Sequence, residues 1–291
     1  MKRTKKRVVL PLIACLILGL CLVGCGDAQK PAVSEEPTPV APANPLIRLS
    51  TTTSVNDSGL LGYLQPEFEQ DTGYVLEIVS AGSGAAIEKG RTGDADCLLV
   101  HSPAAEETFI GEGFDEERVT FMYNYYVIVG PEDDPAGVKD CTDASEAFAQ
   151  IAETDGAQFV SRGDDSGTHN AEKGLWTLAG IDPEGQDWYI STGSGMGASL
   201  VVASETGAYI LTDKATYLAH ELRDTMSILL EKSSQMQNTY SLIAISDKRW
   251  EDTNKEGSDA FISWMTSEKA LTMIDEFGVA QYGEQLFFTY D

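Results

Sequence analysis

Short apolar runs alternate along the chain with segments whose apolar residues recur every three or four positions. Ile47-Arg48-Leu49-Ser50, Val75 to Val79, Cys97 to Val100, Tyr125 to Val129, Phe159-Val160, Tyr209 to Leu211 and Ser241 to Ile245 read as strands. Leu60, Leu61, Leu64 and Phe68 share one face of a helix instead. This alternation predicts an α/β chain with mostly parallel sheets. Asp259 to Phe277 predicts one amphipathic helix near the C-terminus, with Phe261, Ile262, Trp264, Met265, Leu271, Ile274 and Phe277 at helical spacing. No period of about 20 to 50 residues repeats, which argues against a solenoid.

The pattern breaks at the N-terminus. Lys2, Arg3, Lys5, Lys6 and Arg7 precede an uncharged run from Val8 to Val23, and Leu22-Val23-Gly24-Cys25 closes it. A basic start, an apolar run shorter than the about 20 residues a membrane span needs, and small residues before a cysteine predict a secretory signal over Met1 to Gly24. Leu-Val-Gly-Cys resembles a bacterial lipobox, which implies a lipid on Cys25 and a tether to a membrane surface. From Cys25 to Pro45 there are five prolines and no apolar periodicity, so this stretch reads as an extended spacer.

Five of the 20 basic residues precede Cys25 and none of the 46 acidic ones does, which leaves 15 against 46, a net −31. Such a surface is a poor partner for nucleic acid, and any anion site in it has to generate its positive potential locally. Of five cysteines only Cys97 and Cys141 fall in the folded part, where a disulfide between them is possible but no framework exists. There is no C-x-x-C, and three scattered histidines offer no metal-ligand spacing, so no metal and no cofactor are expected.

Three stretches share one arrangement of strand, small hydroxyl and glycine turn, and helix. They are Ser50 to Ser54 leading into Asp57-Ser58-Gly59, Ser161 to His169, and Thr192 to Gly197; Ser80 to Gly84 is a fourth. Each can present backbone N–H groups at a helix N-terminus, where the dipole favours negative charge, although the same residues also serve as ordinary caps. Arg162 is the only cation in the three main stretches, and its fork of donors suits an oxyanion or a salt bridge to Asp164 or Asp165. Ser166 and His169, with those aspartates, also supply the residue types of a surface hydrolase, but G-x-S-x-G is absent and triad members normally converge from separate segments.

With these residues laid out, the chain resembles the tungstate-binding solute receptors of ABC importers, the TupA type. The matching residues are Thr51-Thr52-Thr53-Ser54 with Asp57 to Leu61, Gly93 to Asp96 with Leu98 to His101, Met122-Tyr123-Asn124, Val129-Gly130-Pro131 with Asp133 to Gly137, all of Ser161 to His169, Gly195-Met196-Gly197, Leu211-Thr212-Asp213, and the tail around Phe277 to Phe288. It departs at Cys97, where valine is usual, and over Glu231 to Tyr240, where a proline-containing apolar stretch is usual.

The resemblance implies a two-lobed type II periplasmic-binding-protein fold with a ligand cleft between the lobes. One lobe would comprise Leu46 to Asn124 and Thr239 to Asp291, the other Tyr125 to Asn238. It further implies a monomeric receptor, not an enzyme, lipid-anchored outside the cytoplasm, that captures tungstate or molybdate and hands it to a permease with its ATPase. The implied ligand residues are Thr52, Thr53, Ser54 and Ser83 from one lobe and Arg162, Ser166, Thr168 and the amides of Gly195, Met196 and Gly197 from the other. A phosphate or sulfate receptor of the same fold is the alternative, since Asp164 or Asp165 would suit the proton of monohydrogen phosphate.

Overall fold

A computed structural model describes residues 42–114 and 117–290. The signal over Met1 to Gly24, Cys25 and the spacer up to residue 41 lie outside the described residues. Ten strands are described: β1 (Leu46–Thr52), β2 (Val75–Ala81), β3 (Cys97–Val100), β4 (Val119–Gly130), β5 (Phe159–Ser161), β6 (Tyr189–Ser191), β7 (Tyr209–Asp213), β8 (Ser227–Leu230), β9 (Gln237–Ala244) and β10 (Phe288–Thr289). They run in the order β2-β1-β3-β9-β4-β7-β5-β6, with β8 and β10 also paired to β4. The strands predicted from apolar runs are all present; β6, β8 and β10, at three, four and two residues, carry too little pattern to stand out.

β4 organises the molecule into two lobes. Rich in aromatic and β-branched residues, it stays extended for 12 residues. Its first half pairs with β9 from Val119 to Tyr125, and its second with β7 from Tyr126 to Val129. The parallel pairs, β1–β2, β1–β3, β5–β6 and β5–β7, lie to either side, and every antiparallel pair involves β4 or β9.

Helices cover both faces, which is why the strands read as unbroken apolar runs. Along β3, Cys97 and Leu99 pack with Phe68 and Phe261, whereas Leu98 and Val100 pack on the opposite face with Ile87 and Phe109. The same alternation on β4 sends Tyr126 and Ile128 towards Phe148 and Trp176, and Val127 and Val129 towards Met196 and Leu200.

One expectation is corrected. The single C-terminal helix is two, Lys255–Met265 and Glu268–Glu276, because the Ser267 hydroxyl accepts the Ala270 N–H at 3.3 Å and starts a new helix. No disulfide joins Cys97 and Cys141; burial pushes the Cys141 thiol up to about 11, with the carboxylates of Glu146 and Asp134 adding to the rise.

Trp176 is fully buried, with Phe148 and Phe159 at centroid distances of 4.4 and 5.1 Å. Trp176→Ala is expected to lower unfolding stability by about 3–5 kcal/mol, measured by urea denaturation.

Candidate oxyanion site

The three hydroxyl and glycine stretches meet where the lobes touch. β1 ends at Thr52, whose hydroxyl caps the short helix Thr53–Asp57 by accepting the Val55 N–H at 3.4 Å. From the other lobe Arg162, at the end of β5, reaches across: its Nη2 donates to Thr53 Oγ1 at 3.2 Å and to Asp164 Oδ2 at 2.5 Å. A Cβ on Gly195 would lie 4.0 Å from Thr53 Oγ1, so the third stretch arrives at the same place. Ser83 Oγ accepts the Gly167 N–H at 2.9 Å and Thr216 Oγ1 donates to the Ser54 carbonyl at 3.1 Å, so two further hydrogen bonds join the lobes.

The backbone around Arg162 is built to hold it. Gly163 sits at φ 60°, and a Cβ there would lie 1.9 Å from Ser191 Oγ, so only glycine fits. Asp165 is also left-handed, at φ 53°. Thr192 Oγ1 and the Ser194 N–H both donate to the Arg162 carbonyl, at 3.2 and 3.1 Å. Behind it, Glu172 accepts from the hydroxyls of Ser161 and Tyr189 and from the Trp176 indole N–H. Burial pushes the Glu172 carboxyl up to about 7 against those three donors.

Arg162 is 2% exposed, yet its Nε has no hydrogen-bond partner. Thr168 is 1% exposed and its hydroxyl makes no hydrogen bond of ordinary geometry, although it lies near enough to Tyr126 to pull that phenol down against burial. Ser166 is the N-cap of the helix Gly167–Ala179, its hydroxyl oxygen accepting the His169 N–H at 3.2 Å, which leaves its own O–H to donate. No side chain caps the helix Met196–Thr206, whose first turn carries Gly197. Met196 itself packs its side chain into the core, so only its backbone is available.

Of the two aspartates, Asp164 is used internally: Oδ2 faces Arg162 and Oδ1 accepts the Ser166 N–H at 3.2 Å. Asp165 points outwards, its carboxylate 82% exposed and 3.0 Å from Lys173, which holds it below the usual range. The pairing of Ser166 with His169 that a hydrolase needs does not form. Ser166 Oγ contacts the His169 backbone, and the ring Nδ1 accepts the Asp165 N–H at 3.0 Å.

Two residues outside the expected set complete the site's surroundings. His101, just past β3, is 3% exposed, and burial together with Arg162 pushes it down to about 4, so it is neutral at pH 7. Asn238 spends its amide N–H groups on Asn124 Oδ1 and the Tyr240 hydroxyl, at 2.9 and 2.8 Å. Its oxygen therefore accepts from Tyr126 at 3.0 Å and from His101 Nδ1 at 2.9 Å. That fixes the proton on Nδ1, and Nε2 accepts from Thr52 or Ser54, whose hydroxyls lie 3.0 and 3.1 Å away. One of those two hydroxyls is thus committed to His101. Thr53 accepts from Arg162 and keeps its O–H to donate.

The second residue is Asp213 at the end of β7, which is wholly buried. Both had appeared in matched segments, Leu98 to His101 and Leu211 to Asp213, and a polar residue closing an apolar strand was the available signal.

The chain matches the PBP superfamily domain over residues 35–269. It is 44% identical over 284 residues to the tungstate-binding protein TupA of Peptoclostridium acidaminophilum, spanning 97% of this chain and 98% of that one. Among solved structures, the tungstate-binding protein TupA from Desulfovibrio alaskensis G20 superposes with a TM-score of 0.71 at 40% identity, over 84% of this chain and 99% of that one. The tungstate ABC transporter structure from Geobacter sulfurreducens gives 0.74 at 39% identity, over 80% and 98%. The chain therefore belongs to the PBP superfamily and, within it, to the TupA-type tungstate-binding family that its Thr51 to Ser54 and Ser161 to His169 stretches resemble.

Proposed function

We propose that this chain is the receptor of an ABC importer that encloses a tetrahedral oxyanion, tungstate or its near twin molybdate, between its lobes and delivers it to a membrane permease. The observation that carries this reading is Arg162: a buried cation, opposite a hydroxyl of the other lobe, with an Nε donor that no protein atom takes. A guanidinium so placed is incomplete without an anion. Around it Thr53, Ser166 and Thr168 add hydroxyl donors, and the helix start at Gly195-Met196-Gly197 adds amides and the favourable end of a dipole. Ser83 contributes by tying Gly167 across the cleft.

In this reading residues 46–124 and 239–291 form one lobe and 125–238 the other, and closure about β4 and β9 excludes water from the ion. The N-terminal signature supports export and a lipid on Cys25, which would hold the receptor at the membrane face. A phosphate receptor would want a carboxylate free to accept the ligand's proton; Asp164 and Asp165, the two beside Arg162 in sequence, are both otherwise engaged, which leaves the buried and unpartnered Asp213 Oδ2 for that role.

Thermal unfolding of the purified chain in tungstate, molybdate, sulfate or phosphate tests the ligand class. Tungstate at a hundredfold over its Kd is expected to add about 2.7 kcal/mol; no shift with any of the four would remove the proposal. Arg162→Gln is expected to weaken tungstate binding by roughly hundredfold, the cost of about one buried charge-assisted pair, with the fold kept. Unchanged affinity would show that Arg162 is not the anion's partner.

Gly167→Ala tests closure. The added Cβ would lie 2.6 Å from His101 Cε1 and 2.9 Å from Ser83 Oγ, and the histidine is held by hydrogen bonds at both ring nitrogens. Overpacking of about 1–3 kcal/mol at the lobe junction is expected to lower tungstate affinity roughly tenfold to hundredfold in a titration.

A further inference from the structure

Asp213 has no part in the donor set described so far, and its surroundings are unusual for a carboxylate. It is wholly buried; Oδ1 accepts the Thr216 N–H at 2.9 Å, and Oδ2 has no hydrogen-bond partner. Its register partner on β4 is Tyr126, and Thr216, which it caps, bonds the Ser54 carbonyl. It therefore lies between the strand that joins the lobes and the turn that carries Thr53. The charged or titratable groups around it are Arg162 from the loop after β5, Tyr126 on β4 and Tyr240 on β9, with Asp164 and the neutral His101 one contact further through Arg162.

Charge counting decides what that oxygen does. Arg162 and Asp164 cancel, so a doubly charged oxyanion already leaves the enclosed site strongly negative. An ionised Asp213 with a bare oxygen would add a third negative charge in a place without water, which is far more costly than taking up a proton.

We propose that Asp213 is a specificity-determining residue of this site: its Oδ2 takes a proton from solvent when a fully deprotonated tetrahedral oxyanion is enclosed, and accepts a hydrogen bond instead from an oxyanion that brings its own proton. The inference rests on the oxyanion reading and deepens it. One proton is shared between ligand and Asp213 in either case. For tungstate the O–H bond forms on Asp213 at the expense of a buffer proton, so binding and proton uptake are linked. Burial already pushes this carboxyl up to about 6, against the downward pull of Thr216 and Arg162, and an enclosed dianion pushes it further in the same direction. The sign follows: affinity for tungstate is greatest on the acid side and falls as pH rises from about 6 to 8, by up to about tenfold per pH unit.

The test is calorimetric titration of the full chain with micromolar tungstate at pH 6, 7 and 8, in buffers of different ionisation heat, so that protons taken up per ion are counted. Uptake approaching one proton with falling affinity is expected for the parent. Asp213→Asn, which carries a permanent N–H donor, is expected to bind with no proton uptake and with an affinity independent of pH. A second readout on the parent is the carbonyl stretch of a protonated carboxylic acid, expected to appear in infrared difference spectra when tungstate is added. Tungstate binding without proton uptake, at constant affinity and without that band, overturns the role of Asp213 and leaves the oxyanion reading standing. Uptake that persists in Asp213→Asn at the parent's value also overturns it. A parent that does not bind tungstate overturns both.

Discussion

A guanidinium taken out of water must be answered by negative charge or by acceptors, and Arg162 receives only part of that answer from its own chain. Asp164 and Thr53 share one terminal nitrogen, and Nε is left over. Several local features of this lobe make sense as the cost of holding the charge there. Gly163 and Asp165 turn through the left-handed region so that the loop doubles back. Thr192 and Ser194 fix the arginine's carbonyl, and Glu172, itself buried at the expense of its acidity, fixes Ser161 before it. Loop strain, a buried carboxylate and the glycine requirement all accompany the burial of this one cation.

Much of this was legible in the sequence, for identifiable reasons. Continuous apolar runs such as Cys97 to Val100 mark strands covered on both faces, and the two sides of β3 do reach different clusters. The hydroxyl and glycine stretches were visible because turns at helix starts use few residue types. What could not be read was convergence: one of the bonds that join the lobes links Thr53 to Arg162, 109 residues apart. Nor does a lone sequence separate the three hydroxyls at 52 to 54. That distinction depends on His101, whose proton is placed by Asn238, whose orientation is in turn set by Asn124 and Tyr240. The break at Ser267 escaped for a simpler reason, since a cap interrupts a helix without disturbing its apolar period.

The network that fixes His101 also sits on the strands that join the lobes. Asn124 and Tyr126 belong to β4, and Asn238 and Tyr240 to β9. Any relative movement of the lobes bends these two strands, and so strains the hydrogen bonds that set the tautomer of His101 and commit a hydroxyl of Thr52 or Ser54. Four side chains from the two strands thus form one hydrogen-bonded group with His101.

The overall acidity of the chain is at odds with anion capture only if all charges act equally. Exposed carboxylates such as Asp165 lie in water and salt, where the screening length is about 8 Å. Arg162 and Asp213 are buried, where the same charges are worth several times more. Most of the remaining donors, amides and hydroxyls, carry no net charge and do not titrate near neutrality, so they cannot be neutralised by the surrounding carboxylates. An acidic surface of screened charges then costs a buried cation such as Arg162 little.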